Sequence, residues 1–337
     1  MRIVLLLCAL LQPVLSSAAN FDSTNPARIY MVLWRGCEEA CQGFKQQLAA
    51  QQLPVEIIER NAARDKSKLP TFLSEAKALR PDLVVTWGTS VSKAMLGPLE
   101  SDASERYLGD IPALFMIVAD PVGAGIIRSY SESGRRYITG TRNRVPEEVQ
   151  LRTILEYLGK ERPKLGVIYS SAELNSVLNN QKLASLQHEL GFELATAQYQ
   201  LDTEGKPLAG QIEVQMRALA AQQVDLVYVG SSSYNRAKRE QFIAAADRHG
   251  LAVASAYEVM VTKSGALLAV ANRYYNVGKL AAKQARRVLF ESAIPGELPI
   301  PSLSRYSIFI NMDSARRHQI YPPIQLLRLA ELVNPMP

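Results

Sequence analysis

The chain has 337 residues, 38 Lys and Arg against 32 Asp and Glu, a formal net charge of +6, and 47% hydrophobic residues. That composition is ordinary for a globular protein, and the basic residues are interleaved with acids on helical segments, which excludes a nucleic-acid-binding stripe. No segment after the first residues approaches the length of a transmembrane helix.

Met1 to Ala19 carries an early positive charge at Arg2, an apolar run from Ile3 to Leu11, and small residues Ser17, Ala18 and Ala19 before Asn20. This reads as a cleavable secretory signal peptide. Cys8 lies inside its apolar run, away from a lipidation site. Removing residues 1–19 leaves over three hundred residues, which predicts two domains of ordinary size.

Cys37 and Cys41 then remain as an even pair for an oxidising compartment. The C-x3-C spacing lacks the further ligands of a zinc site, which favours a small structural disulfide over a metal or redox pair. Ideal helical geometry does not suit a bridge at this spacing, so a non-helical start is expected.

From Ala27 onward, strand-like runs alternate with amphipathic helices, the pattern of parallel βαβ units. Strands are predicted at Arg28–Trp34, Val55–Ile58, Leu83–Thr86 and Leu114–Val118, with helices over Glu38–Gln52 and Pro70–Ala78 and from Gly88-Thr89-Ser90. The run Leu114 to Val118 is continuously apolar, as in a strand covered on both faces. Asp120, Pro121, Gly123 and Gly125 then break it at a carboxyl-end turn, where open α/β sheets bind ligands. A second series follows Tyr137-Ile138-Thr139-Gly140. Its helices are predicted over Pro146–Leu158, Leu174–Leu190, Gln211–Gln222 and Asn235–His249, and its strands over Leu165–Tyr169, Glu193–Tyr199, Leu226–Val229 and Val253–Ser255. A strand at Ala266–Val270, a helix at Tyr275–Glu291, a strand at Tyr306–Asn311 and a last helical pattern before Pro322 complete the chain. Two similar series imply an α/β protein of two Rossmann-like lobes with parallel sheets.

Pockets follow from the strand ends. A helix N-terminus exposes unpaired N–H groups, and its dipole favours an anion. Gly88, Thr89 and Ser90 offer such a site in the first lobe; Ser170 and Ser171 with Asn175 and Ser176, or Ser231, Ser232 and Ser233, offer it in the second. Each also reads as a cap for its own helix. Trp34, Trp87, Tyr169, Tyr234, Tyr257 and Tyr274 sit near the same turns and suit a planar solute; about half of the six are expected to touch it. Glu258 is the acid best placed for a ligand ammonium, ahead of Asp120, whose Asp-Pro context already explains a turn. Arg35 reaches either an anionic group or Glu38, and Arg273 poses a similar choice.

His188, His249 and His318 lie in helical or helix-end segments and assemble with no nucleophile, so no catalytic site is expected. No G-x-G-x-x-G after a strand, P-loop or H-E-x-x-H occurs, and neither cofactor nor metal is expected.

Six stretches in order carry a resemblance: PDLVVTWGTS from Pro81, IPALFMIVADPVGAG from Ile111, ITGTRNRVPEEVQL from Ile138, KLGVIYSSAELNS from Lys164, VDLVYVGSSS from Val224 and KSGALLAVANRYYNVGKLAAKQA from Lys263. The chain resembles the ABC-transporter substrate-binding family that includes tryptophan- and tyrosine-type periplasmic binding proteins. The resemblance implies a type I periplasmic-binding fold, with two lobes joined by a hinge and closing on a small solute. Lobe 1 is expected over 20–140 and 259–294, lobe 2 over 141–258 and 295–337. It further implies a monomer that delivers its solute to a membrane permease; taken with the signal peptide and the strand-end pockets, the expectation is a periplasmic protein that binds a small carboxylate-bearing solute, with the aromatic walls suiting an aromatic amino-acid-like one. A ligand-sensing subunit that signals to a membrane sensor kinase or cyclase is the alternative, and a thiol-redox protein a weaker one. The chain departs from the family at Ser133–Tyr137, where a glycine-rich turn is common, and at Arg273, where an acid often precedes the paired tyrosines.

Overall fold

The computed structural model describes residues 21–101 and 105–334. The expected signal peptide and Cys8 lie outside them. No helix among the described residues is long and apolar enough to cross a membrane.

The first sheet collects β1 (Ala27–Leu33), β2 (Val55–Asn61), β3 (Leu83–Trp87), β4 (Ala113–Val118) and β5 (Ile138–Arg142) in the order β2-β1-β3-β4-β5. All its pairings are parallel. Its covering helices include α1 (Glu39–Ala50), α2 (Leu69–Leu79) and α3 (Thr89–Leu96). Alternation along β1 sends Ile29, Met31 and Leu33 into one apolar cluster and Tyr30 and Val32 into the other. Both faces are therefore covered, as the continuous apolar runs require.

The second lobe runs through α4 (Glu147–Leu158), β6 (Lys164–Tyr169), α5 (Leu174–Leu190), β7 (Glu193–Gln198), α6 (Gln211–Ala221), β8 (Leu226–Val229), α7 (Ser233–Ala237), α8 (Arg239–Arg248), β9 (Val253–Ser255), α9 (Glu258–Ser264) and β10 (Leu268–Ala271). The chain then returns to the first lobe as α10 (Tyr274–Phe290). It crosses back for β11 (Ser307–Asn311), α11 (Met312–His318), α12 (Ile324–Leu327) and β12 (Ala330–Val333). The second sheet has the order β12-β11-β10-β9-β8-β6-β7, parallel except between β10 and β11. On β8, Val227 and Val229 face one cluster and Leu226 and Tyr228 the other.

The sheets divide the chain elsewhere than expected. β5 extends the first lobe to Arg142, and β10 with α9 belongs to the second sheet instead of the first lobe. Residues 295–301 stay with the first lobe, where the Ile300 N–H donates to the Tyr130 carbonyl and the Arg142 N–H to that of Pro301. The physical reason is local: α9 is a short crossover that returns β10 beside β9, the usual course of a βαβ unit. The predicted helix over Asn235–His249 is two helices, α7 and α8, and the tail beyond Pro323 contains β12 at the sheet edge.

α10 is tied to α1 by backbone proximity. A Cβ on Gly43 would stand 2.0 Å from the Tyr275 carbonyl oxygen, and one on Gly278 1.9 Å from that of Ala40. Rigid backbone on the far side leaves no room to yield. Gly278→Ala is expected to destabilise the protein by about 1–3 kcal/mol through overpacking. Urea unfolding followed by circular dichroism measures this, and an unchanged midpoint would contradict the close packing.

Candidate functional site

Carboxyl ends of strands from both sheets meet around one cleft, which encloses about 460 Å³ with the solvent at its mouth included. The first lobe supplies Trp34 and Arg35 after β1, Trp87 to Ser90 after β3, and Ile117 and Ala119 around the end of β4. The second lobe supplies Asn175, Ser233 and Tyr257. Asn143, Arg144 and Tyr274 come from two of the chain crossings. The Asn272 side-chain amide donates to the Asn143 carbonyl over 3.1 Å, lacing those crossings together.

α3 begins at the cleft. Gly88, with φ 93°, makes the turn from β3, a conformation that side chains avoid. No side chain caps the helix. At its other end the buried Arg135 guanidinium donates to the carbonyls of Leu96 at 2.6 Å and Gly97 at 3.0 Å. A cation thus matches the negative end of the helix, while its positive end faces the cleft.

Ile117 is a β-branched residue at φ 56°, beside a register shift between β4 and β5. Such a conformation is costly for this residue type, and its position at the cleft fits the clustering of backbone strain at binding sites.

Charged side chains link the lobes. Arg35, with 4% of its side chain exposed, donates to Glu38 at 2.8 Å, and its guanidinium lies 4.5 Å from the centre of the Trp87 ring. Arg236 of α7, 8% exposed, donates across the interface to Glu38 at 3.0 Å and Glu39 at 3.3 Å. Burial opposes the Arg236 charge, but the nearby carboxylates and tyrosines raise its pKa above the ordinary value. Cys37 and Cys41 are bridged, with Cα atoms 5.1 Å apart. Their bridge closes the turn that presents Glu38, whose extended backbone supplies the expected non-helical start.

Arg144 lines the cleft with 8% of its side chain exposed, and its Nε lies 3.6 Å from Glu147. Arg144 Nε and Nη2, Trp87 Nε1 and Asn143 Oδ1 are buried without a hydrogen-bond partner among the described residues. Burial works against the Arg144 charge, while Glu147 and Tyr228, Tyr257 and Tyr274 raise its pKa.

Of the residues singled out from sequence, Trp34, Arg35, Trp87, Gly88, Thr89, Ser90, Asn175, Ser233, Tyr257 and Tyr274 line the cleft. Asp120 and Pro121 do not: the Asp120 carboxylate turns back to accept from the Gly123 N–H at 2.8 Å. Ser170, Ser171 and Ser176 are also outside the lining; Ser170 accepts from the Ala172 N–H and Ser171 from Gln198. Ser231 and Ser232 form no free anion site, because Glu173 already fills it. Its carboxylate accepts from the Ser232 hydroxyl at 2.9 Å and the N–H groups of Ser233 and Tyr234 at 3.1 and 3.0 Å. The buried Glu173 carboxyl is shifted upward by desolvation, which outweighs these donors. Glu258 lines a neighbouring pocket with Glu39 and Arg236, and Tyr257 and Tyr274 stand between that pocket and the cleft. Tyr169 donates to Gln198 and Tyr234 packs on Tyr199, so neither lines the cleft. Arg273 pairs with Glu331. His249 and His318 pair with Glu213 and Asp247.

Asn143, Arg144 and Arg236 were not singled out. Arg144 is legible only once residues 143–146 are known to cross between lobes, and Arg236 only once α7 is placed against α1.

Two α/β lobes closing on a cleft at their strand ends define a solute-binding protein of the type I periplasmic-binding class. Residues 29–334 match the family model for ABC transporter substrate binding proteins, and the chain belongs to that family. A tyrosine-binding protein of Clostridioides difficile is 23% identical over 262 residues, covering 78% of this chain and 70% of that protein. Among solved structures, an ABC domain in complex with L-Trp from Streptococcus pneumonia superposes with a TM-score of 0.77 at 21% identity, over 91% of this chain and 99% of that one. A conserved domain protein from Vibrio cholerae gives 0.77 at 22% identity over the same shares. The family comprises solute-binding proteins that work with ABC transporters, not an enzyme class.

Glu38→Gln weakens the tie to Arg236, and we expect small-angle scattering to report a larger radius of gyration than wild type at low salt; an equal radius would mean that the pair does not hold the lobes together. Burial pushes the Glu258 carboxyl up to about 6, with Arg273 opposing and Glu39 and Glu331 adding to the shift. A raised folded-state pKa means that stability from this group is fully present below its unfolded value and is lost as pH rises through about 6. Urea unfolding should therefore show wild type losing ground to Glu258→Gln between about pH 4.5 and 6.5. A constant difference between the two would contradict the buried setting.

Proposed function

We propose that the protein captures a small, carboxylate-bearing aromatic solute between its lobes and delivers it to the membrane permease of an ABC uptake system. One observation carries this reading: the open N-terminus of α3 and the rings of Trp34, Trp87, Tyr257 and Tyr274 share a single cleft. The helix end suits an anion and the rings suit a planar body. The names of the tyrosine-binding relative and of the L-Trp complex point toward the same chemistry. The protein acts as a monomer in the periplasm after removal of its signal peptide.

Binding closes the lobes because the solute touches both at once, so its contacts with Thr89 and Tyr257 are complete only in the closed form. A thermal-shift screen of amino acids, organic acids, nucleosides and sugars tests the reading, since a ligand specific for the folded state raises its melting temperature. The expected hits are aromatic carboxylates. Trp87→Ala should then weaken binding at least about tenfold, equivalent to about 1.4 kcal/mol, while Ser171→Ala leaves it unchanged. Hits confined to sugars or nucleosides would reject the proposal.

A further inference from the structure

We infer that the preferred solute is an aromatic acid carrying a second hydrogen-bond acceptor where an amino acid carries its ammonium, such as a 2-oxo acid. The inference deepens the proposed function and rests on its carboxylate-and-aromatic reading of the cleft.

The cleft is rich in donors. Among its lining residues are two arginines, Arg35 and Arg144, and no carboxylate. Arg35 is already engaged by Glu38, whereas Arg144 keeps Nε and Nη2 without a hydrogen bond, and Trp87 keeps Nε1. Guanidinium and indole N–H groups only donate. The remaining unpaired atom, Asn143 Oδ1, belongs to an amide whose half-turn would present an N–H instead. These donors add to the uncapped N–H groups of α3.

Acids near the cleft are committed elsewhere. Glu38 is held by Arg35 and Arg236, Asp120 by the Gly123 N–H, and Glu173 by Ser232, Ser233 and Tyr234. Glu147 lies beside Arg144, and Glu258 faces the neighbouring pocket with Arg236. A solute ammonium brought into this cleft would lose its water and meet no lining carboxylate, a costly burial. A carboxylate at α3 and an oxo or similar acceptor at Arg144 instead satisfy groups that the protein leaves unpaired.

The test is isothermal titration of the mature protein with matched pairs: phenylpyruvate against L-phenylalanine, and 4-hydroxyphenylpyruvate against L-tyrosine. The oxo acid of at least one pair should bind tenfold or more tightly than its amino acid. Any smaller preference, or a preference for the amino acid, overturns the inference while leaving an aromatic carboxylate as the solute class. Failure of every member of both pairs overturns the proposed function as well. Arg144→Lys, which keeps the charge but not the two-pronged donor, should reduce the preference to below threefold. If Arg144→Lys does not fold, Arg144→Gln, which keeps an amide donor but neither the charge nor the fork, supplies the second reading and should likewise reduce the preference to below threefold; a tenfold preference retained in either folded variant would overturn the role of Arg144.

Discussion

Glu38 is the point where the two lobes are held in one arrangement. Its carboxylate receives Arg35 from its own lobe and Arg236 from the other, in surroundings that leave both guanidinium groups almost wholly buried. Buried ion pairs of this kind add little net stability, because removing the charges from water offsets their attraction. They are specific, however, since separating them strands charges in a poor solvent. The pair therefore favours one register between the lobes without adding much to the stability of that arrangement. The Cys37–Cys41 bridge fixes the turn carrying this carboxylate. An interaction near balance is suited to a protein whose solute must tip the equilibrium.

The cleft itself works by leaving backbone and side-chain groups unpaired on one side only. α3 is complete at its C-terminus, where Arg135 takes the carbonyls, and incomplete at its N-terminus. In the second lobe the equivalent helix end at α7 is already filled by Glu173. The lobes share a layout but differ in detail: α3 of the first has no side-chain cap where it meets the cleft, α7 of the second has Glu173 on its N–H groups, and aromatic rings come from both, Trp34 and Trp87 from the first and Tyr257 from the second.

Much of this was legible in the sequence. Buried parallel strands announce themselves as apolar runs, so the sequence places β1, β3, β4 and β8 closely, and Gly88, Thr89 and Ser90 mark the turn after β3. The failures have a common cause. Residues at a strand end can face the cleft, their own turn or a neighbouring helix, and local pattern does not distinguish these. Asp120 spends its carboxylate on Gly123 and the serines near α7 serve Glu173, whereas Arg144 faces the cleft although nothing in its immediate sequence marks it. Sheet membership is similarly non-local. β10 has the same apolar character as a first-lobe strand, and only its hydrogen bonds to β9 and β11 assign it.

The return of the chain through α10 has a consequence for the order of assembly. Val277, Ala281, Ala282, Ala285 and Leu289 complete one face of the first sheet, yet they leave the ribosome after nearly all of the second lobe. Until then Leu33, Phe44 and Leu114 have the cover that α1 supplies but lack that of α10, so the first lobe cannot finish folding as an autonomous N-terminal unit. The nascent protein therefore carries an incomplete apolar surface through most of its synthesis, the condition under which holding chaperones are most useful. Both lobes become complete only when the last third of the chain is available.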